Sequence, residues 1–351
     1  SGHKEIMLGN YDAASGSWKQ NSGSRGIYAV MVFVNVCGTL PTTPSDPGES
    51  VRVAGSDRFG TAAALSKASF PAGVAVAYVG TGSNFPDALA AGPAAVVANA
   101  PVLLVYRDSV PSVTATELGR LKPGRIVVLG ATGAVSDGVA RALAKYATSG
   151  RVDRIAGGDR YATAAKISQA HFSHASVAYV ATGANFPDAL SGGAAAGKDG
   201  GPILLVQRTE VPAATAAELK RLDPDKIVVL GSSSAVSDGV AAALAKLTGA
   251  VVTRVAGSDR YLTAVKASQA EHAANGPSTV YVATGTAFPD GLTGSPVAGG
   301  LPGPLLLVKP YELPSAVATE LKRLAPSKVV VLGGTSAISS GVVNAINAAV
   351  P

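Results

Sequence analysis

One passage of this chain is written three times. Residues 51–59 read VRVAGSDRF; the passage returns as DRIAGGDRY at 153–161 and as TRVAGSDRY at 253–261. Arg58 and Arg160 are 102 positions apart, and Arg160 and Arg260 are 100 apart. Solenoid units repeat every ~20–50 residues, so a period this long is a whole domain. The alignment continues beyond the opening. AYVGTGSNFPDAL at 77–89 matches AYVATGANFPDAL at 178–190 and VYVATGTAFPDGL at 280–292. PVLLV, PILLV and PLLLV follow at 101–105, 202–206 and 304–308, then RIVVLG, KIVVLG and KVVVLG at 125–130, 226–231 and 328–333. The chain divides into an N-terminal extension with linker, 1–48, and three repeats at 49–149, 150–249 and 250–351. An enzyme needs one good site, whereas a module that grips a repetitive polymer gains from several linked ones.

Each repeat alternates short apolar runs with helical stretches. Runs such as Val76–Val79, Val102–Val105 and Ile126–Leu129 are continuous and rich in β-branched residues. Strands apolar on both faces belong to parallel sheets covered by helices. The pattern predicts α/β repeats of three layers, with mainly parallel sheets and right-handed crossovers. Phe85-Pro86-Asp87 predicts a helix start, with Pro in the first position and a carboxylate in the first turn. Pro111 and Ser136-Asp137 predict two more. A fold of this class is small at ~100 residues, so the copies are expected to bury surface against each other.

Composition narrows the function. Hydrophobic residues make up 47% of the chain, enough for packed cores, and aromatics only 5%, so those cores are built from Ala, Val, Leu and Ile. The net charge of +6 favours an anionic partner, whether wall polymer, nucleic acid or membrane surface. No apolar run approaches the ~20 residues a membrane-spanning helix needs. Residues 27–36 alternate at period two and read as a strand, with a signal-peptide core as the alternative. Pro41 to Pro47 reads as a linker. Cys37 is the only cysteine, so no internal disulfide forms.

The repeated polar residues are the candidate site: Arg52, Asp57, Arg58 and Thr81, then Arg154, Asp159, Arg160 and Thr182, then Arg254, Asp259, Arg260 and Thr284. Each Asp is placed to cap the helix that follows, and each Arg can pair with a nearby carboxylate. Arginine is also the side chain suited to forked recognition of phosphate or carboxylate. Each Thr-Gly ends a strand before a helix, where α/β folds bind ligands. Gly80-Thr-Gly82 opens like a dinucleotide fingerprint, but Phe85 stands at the third glycine and Ala181 and Ala283 replace Gly80, so no cofactor is expected. His3, His171, His174 and His272 share no repeat position, which argues against a metal site. An acid–base pair from Asp57 and Asp87 is the one catalytic arrangement the spacing permits.

These motifs resemble the cell wall binding repeat 2 family of Gram-positive surface proteins: RxxGxDRY at each repeat start, ATGxxFPDAL in the middle, then PILLV and VVLG. The alanine- and glycine-rich wording resembles actinobacterial members. The resemblance implies a secreted, non-catalytic module at the cell surface, anchored to an anionic wall polysaccharide or teichoic-acid-like polymer rather than to nucleic acid. It implies a Toprim-like fold for each repeat and three copies packed as a pseudo-threefold trimer. It implies an effector domain elsewhere in such a protein. The alternatives are a wall-active hydrolase with sites at the strand ends, and a self-assembling surface-layer protein. The repeats depart from one another at Phe59, at Ser295-Pro296 and at Ser339-Ser340, so equal use of the three sites is open.

Overall fold

The computed structural model describes residues 9–12, 17–20, 50–84, 86–301 and 303–351. Two units result, Ser1–Val36 and Cys37–Pro351. In the first, β1 (Gly9–Asp12) pairs antiparallel with β2 (Ser17–Gln20), placing Tyr11 opposite Trp18. The strand expected over 27–36, Cys37 and the Pro41–Pro47 linker lie outside the described residues.

The second unit holds the repeats. The first contributes β3 (Ser50–Val53), α1 (Arg58–Ser69), β4 (Val76–Thr81), α2 (Ala91–Val97), β5 (Val102–Val105), α3 (Ser112–Leu121), β6 (Arg125–Leu129) and α4 (Asp137–Leu143). The second contributes β7 (Val152–Ile155), α5 (Arg160–His171), β8 (Val177–Thr182), α6 (Pro187–Lys198), β9 (Ile203–Val206), α7 (Ala213–Leu222), β10 (Lys226–Leu230) and α8 (Asp238–Thr248). The third contributes β11 (Val251–Val255), α9 (Arg260–Glu271), β12 (Thr279–Thr284), α10 (Pro289–Gly300), β13 (Leu305–Val308), α11 (Ser315–Leu324), β14 (Lys328–Leu332) and α12 (Ser340–Ala349).

The strands form three parallel four-stranded sheets, ordered β5-β4-β6-β7, β9-β8-β10-β11 and β13-β12-β14-β3. The fourth strand of each sheet comes from the next repeat. Arg154 on β7 pairs with Val128 in the first sheet, and Arg254 on β11 with Val229 in the second. Arg52 on β3 pairs with Val331, so the first repeat closes the third and the three form a ring. With the right-handed crossovers general to parallel sheets, the strand order assigns α2 to one face of its sheet and α3 and α4 to the other.

The inner helices α2, α6 and α10 pack on one another about the ring axis. Their equivalent residues lie in layers that admit one side chain among three. In one layer Gly92 and Gly193 surround Ser295; a β-carbon on either glycine would stand 2.8 Å or 2.4 Å from the Ser295 Oγ. In the next, Gly197 and Gly299 surround Val96, with β-carbons that would stand 2.6 Å and 2.9 Å from its Cγ2.

The helix expected from Pro86 starts later. Residues 86–90 form a turn and α2 opens at Ala91, whereas α6 and α10 open at the equivalent prolines. The later start places Pro93 in the first turn, where its missing N–H leaves no intrahelical bond unmade. Helix α10 instead carries Pro296 in its interior. The starts at Pro111 and Ser136 are as expected: Pro111 is the N-cap of α3, and the Ser136 hydroxyl accepts from Val139 N–H.

Candidate functional site

In each sheet the chain runs outward in opposite directions from one pair of neighbouring strands: β4 and β6, β8 and β10, β12 and β14. The crevice beyond the C-terminal ends of such a pair is where open α/β sheets bind ligands. The Thr-Gly ends of β4, β8 and β12 sit there. Thr81, Thr182 and Thr284 are buried, and each Oγ1 accepts a backbone N–H two residues on, from Ser83, Ala184 and Thr286. They fix the turn that leads into the FPD loop.

The FPD carboxylates turn back onto the strand ends. The left-handed glycines that close β6, β10 and β14 have φ of 92°, 93° and 103°. A β-carbon on Gly130, Gly231 or Gly333 would lie within 2.5 Å of the carboxylate of Asp87, Asp188 or Asp290. Burial pushes the Asp290 carboxyl up to about 6, against the pull of Arg58. Burial also raises Asp188, opposed by the Thr263 side chain and the Arg260 charge.

Both Arg58 and Arg260 therefore face a carboxylate of the repeat before their own. Arg58 Nη1 donates to Gly82 O at 2.5 Å, and its guanidinium lies 6.0 Å from the Phe288 ring centre. Arg260 Nη1 donates to Gly285 O at 2.6 Å and lies 5.9 Å from the Phe186 ring. Arg160 Nη1 donates to Gly183 O at 2.5 Å and lines a cleft with Asp87 and Asn84 of the repeat before it. Each arginine is thus fixed to its own repeat and presented to the neighbour's strand-end loop. Phe186 and Phe288 meet edge to face, with ring centres 6.2 Å apart.

The remaining predicted residues hold these in place. Asp57, Asp159 and Asp259 are N-caps whose Oδ1 accepts from Gly60, Ala162 and Leu262 N–H, each at 2.8 Å. Arg52, Arg154 and Arg254 bind backbone: Nη1 donates to Gly333, Gly130 and Gly231 O at 2.6–2.7 Å. Their Nη2 groups reach Asp137 and Asp238 in two repeats. In the ring-closing contact Ser340 stands in place of that Asp, and Arg52 Nη2 donates to Ile338 O instead. These three arginines tie each exchanged strand to the sheet it completes.

The pairing of Asp57 with Asp87 gives way to pairing across repeats. Asp87 shares its cleft with Asp159, and Arg58, next to Asp57, acts on Asp290. That cleft encloses about 520 Å³. Arg107 and Asn84 also line it, though neither stood among the residues common to all three repeats. Among the described residues no cluster of three His, Cys, Asp or Glu is placed to hold a metal ion. His171 is occupied elsewhere, its Nε2 lying 2.7 Å from the Tyr78 hydroxyl across the first repeat boundary.

A polar cleft at one repeat junction of a closed ring, with equivalent arginines fixed at all three junctions, fits a binding module. The chain belongs to the cell wall binding domain 2 (CWB2) family, which matches residues 52–140, 154–241 and 254–343. It is a cell-wall binding module associated with the wall or cell surface. Among curated relatives it is 31% identical over 314 residues to the N-acetylmuramoyl-L-alanine amidase LytC of Bacillus subtilis. It is 32% identical over 316 residues to the amidase enhancer of the same species. Each match covers 90% of this chain, but only 61% of the amidase and 42% of the enhancer. Two solved structures from Clostridium difficile share the architecture. Cwp6 has a TM-score of 0.80 at 25% identity, over 90% of this chain and 51% of that one. Cwp8 has a TM-score of 0.78 at 27% identity, over 86% and 52%.

Proposed function

We propose that this module anchors a secreted protein to the wall by gripping an anionic secondary polymer, a polysaccharide or teichoic-acid-like chain, in the clefts between repeats. The observation that carries this reading is the placement of Arg58, Arg160 and Arg260. Each is tied to a backbone carbonyl of its own repeat while facing the strand-end loop of the neighbour. The fixed Nη1 bond holds the guanidinium in orientation, so less side-chain freedom is lost when it meets a phosphate or carboxylate. Successive clefts on one rigid ring raise the effective concentration for each further contact to the order of millimolar. The polymer-contacting set is Arg58, Arg160 and Arg260, with Thr81, Thr182 and Thr284 shaping the loops. The capping aspartates and the strand arginines maintain the ring. The module performs no chemical step, and catalysis in such a protein belongs to a separate effector.

Sedimentation with purified Gram-positive walls tests this, before and after hydrofluoric acid removes phosphodiester-linked polymer. Binding should vanish on stripped walls. It should fall as salt rises from 0.1 to 1 M, because the Debye length shrinks from about 10 Å to about 3 Å. Equal retention on stripped peptidoglycan, or release of wall fragments by the purified chain, would overturn the reading.

A further inference from the structure

We infer that the three clefts are unequal: two, distinguished by a second arginine at Arg107 and Arg208, hold the anionic groups of the polymer more tightly than the third, at Pro310. This rests on the anchoring function proposed above. The three positions are structurally the same. The carbonyl of Arg107 accepts from Ser136 N–H, that of Arg208 from Ser237 N–H and that of Pro310 from Ser339 N–H, at 2.8–2.9 Å. Only the side chains differ.

In the first cleft Arg107 joins Arg160 and Asn84 around the 520 Å³ space. Its ion pair with Asp108 is exposed on both sides, and such pairs are weak enough to yield to an incoming anion. In the second, Arg208 Nε donates to Ser234 O at 3.1 Å. Ser234 holds the place of Gly133, which lines the first cleft. Asn185 repeats Asn84; its Oδ1 already accepts the Phe186 N–H, which leaves the amide NH2 as the group that can donate. Lys309, ion-paired with Glu312 at 2.8 Å, adds a cation near Asp259.

The third cleft loses each of these donors. Pro310 replaces the arginine and Ala287 the asparagine. The place of Lys309 is taken by Tyr106, whose ring centre lies 4.3 Å from that of Phe59 at a tilt of 52°. Arg58 is left to face two carboxylates, Asp57 and the buried Asp290. An anion entering there meets net negative charge. In the first, Arg107 and Arg160 together offset Asp87 and Asp159, and at the second junction Arg208 and Arg260 stand against Asp188 and Asp259, so forked donors that a phosphate or carboxylate accepts are not outnumbered by carboxylates.

The test measures wall affinity and thermal midpoint for the full chain and its variants, using purified Gram-positive walls and the same walls stripped by hydrofluoric acid. Arg107→Ala and Arg208→Ala should each weaken binding about tenfold without shifting the midpoint, and together by about a hundredfold or more. Arg58→Ala should weaken binding by less than Arg160→Ala or Arg260→Ala does. Installing the missing donors, Ala287→Asn with Pro310→Arg, should strengthen binding several-fold. Three equal losses from Arg58→Ala, Arg160→Ala and Arg260→Ala at unchanged midpoints would overturn the inequality while leaving the anchor reading intact. So would wild-type affinity in the Arg107→Ala/Arg208→Ala protein. Undiminished binding of the unaltered chain to stripped walls would instead overturn the anchor reading, and this inference with it.

Discussion

Asp290 is the FPD carboxylate most withdrawn from water, 9% exposed, where Asp87 and Asp188 are only partly buried. Its carboxyl titrates at about 6 in the folded chain, and the unfolded value is near the ordinary 3.8. The folded state thus binds its proton more tightly than the unfolded state. Stability from this residue is fully present below about pH 4 and is lost as pH rises through about 6. Two units correspond to about 3 kcal/mol as an upper figure. His272 opposes it. Burial lowers that imidazole to about 4, so its contribution is present above the unfolded value of 6.5 and is lost as pH falls. The wild-type profile is therefore flattened between pH 4 and 6, and a variant separates the two groups. Asp290→Asn should raise the thermal midpoint at pH 7 by several degrees and converge with wild type near pH 4. An equal shift at both pH values would remove Asp290 from the titration.

At the scale of elements, each repeat carries a buried charge that joins its first helix to its third. Glu117, Glu218 and Glu320 are 0–5% exposed. Each accepts a serine hydroxyl from the repeat's first helix, Ser66, Ser168 or Ser268, at 2.5–2.6 Å. Each also accepts two bonds from an arginine three residues on, Arg120, Arg221 or Arg323. Those arginines in turn donate to the carbonyls of Phe70, Phe172 and His272, where the first helix ends. Removing the carboxylate leaves a buried serine hydroxyl unsatisfied, at about 1–3 kcal/mol, while the arginine, about a third exposed, keeps part of its hydration. Glu218→Ala should lower stability by that order in chemical denaturation, and Lys220→Ala, on the exposed face of the same helix, by less than about 0.5 kcal/mol. Comparable losses from the two would refute the buried-pair account. None of this was legible in the sequence, since ELGRL and ELKRL read as ordinary exposed i,i+3 pairs. The strands were legible, because runs such as ILLV have no polar face to expose. Their partners were not. Period and apolarity fix which faces of SVRV or VDRI are covered, but nothing in four residues says that β3 completes the sheet of the third repeat. Asp57, Asp159 and Asp259 could be read as caps because a cap is a local rule. Arg107 and Arg208 escaped because a repeat invites attention to what its copies share.

At the scale of the whole ring, the repeats must differ where they meet. Exact threefold symmetry would put three serines, or three glycines, into the axial layer of Gly92, Gly193 and Ser295. Three serines overfill it, and three glycines leave a void. The observed set places one side chain against two glycines, and the Val96 layer follows the same rule from a different repeat. Gly193→Ser puts a second side chain into the filled layer, its β-carbon 2.4 Å from the Ser295 Oγ, so the Ser295 hydroxyl must rotate away or α6 and α10 must separate. Overpacking of this kind costs about 1–3 kcal/mol. Ser295→Gly removes that obstruction at the modest cost of a further glycine inside a helix, about 0.5–1 kcal/mol. If axial volume is what counts, the changes are not additive. Gly193→Ser with Ser295→Gly moves the single side chain one repeat around the axis and should restore most of the loss, with a coupling energy of at least ~1 kcal/mol. Thermal or denaturant unfolding of the two single variants and the double variant measures it. Strict additivity would mean that the layer has slack on more than one side, and that the glycines are there for reasons other than volume.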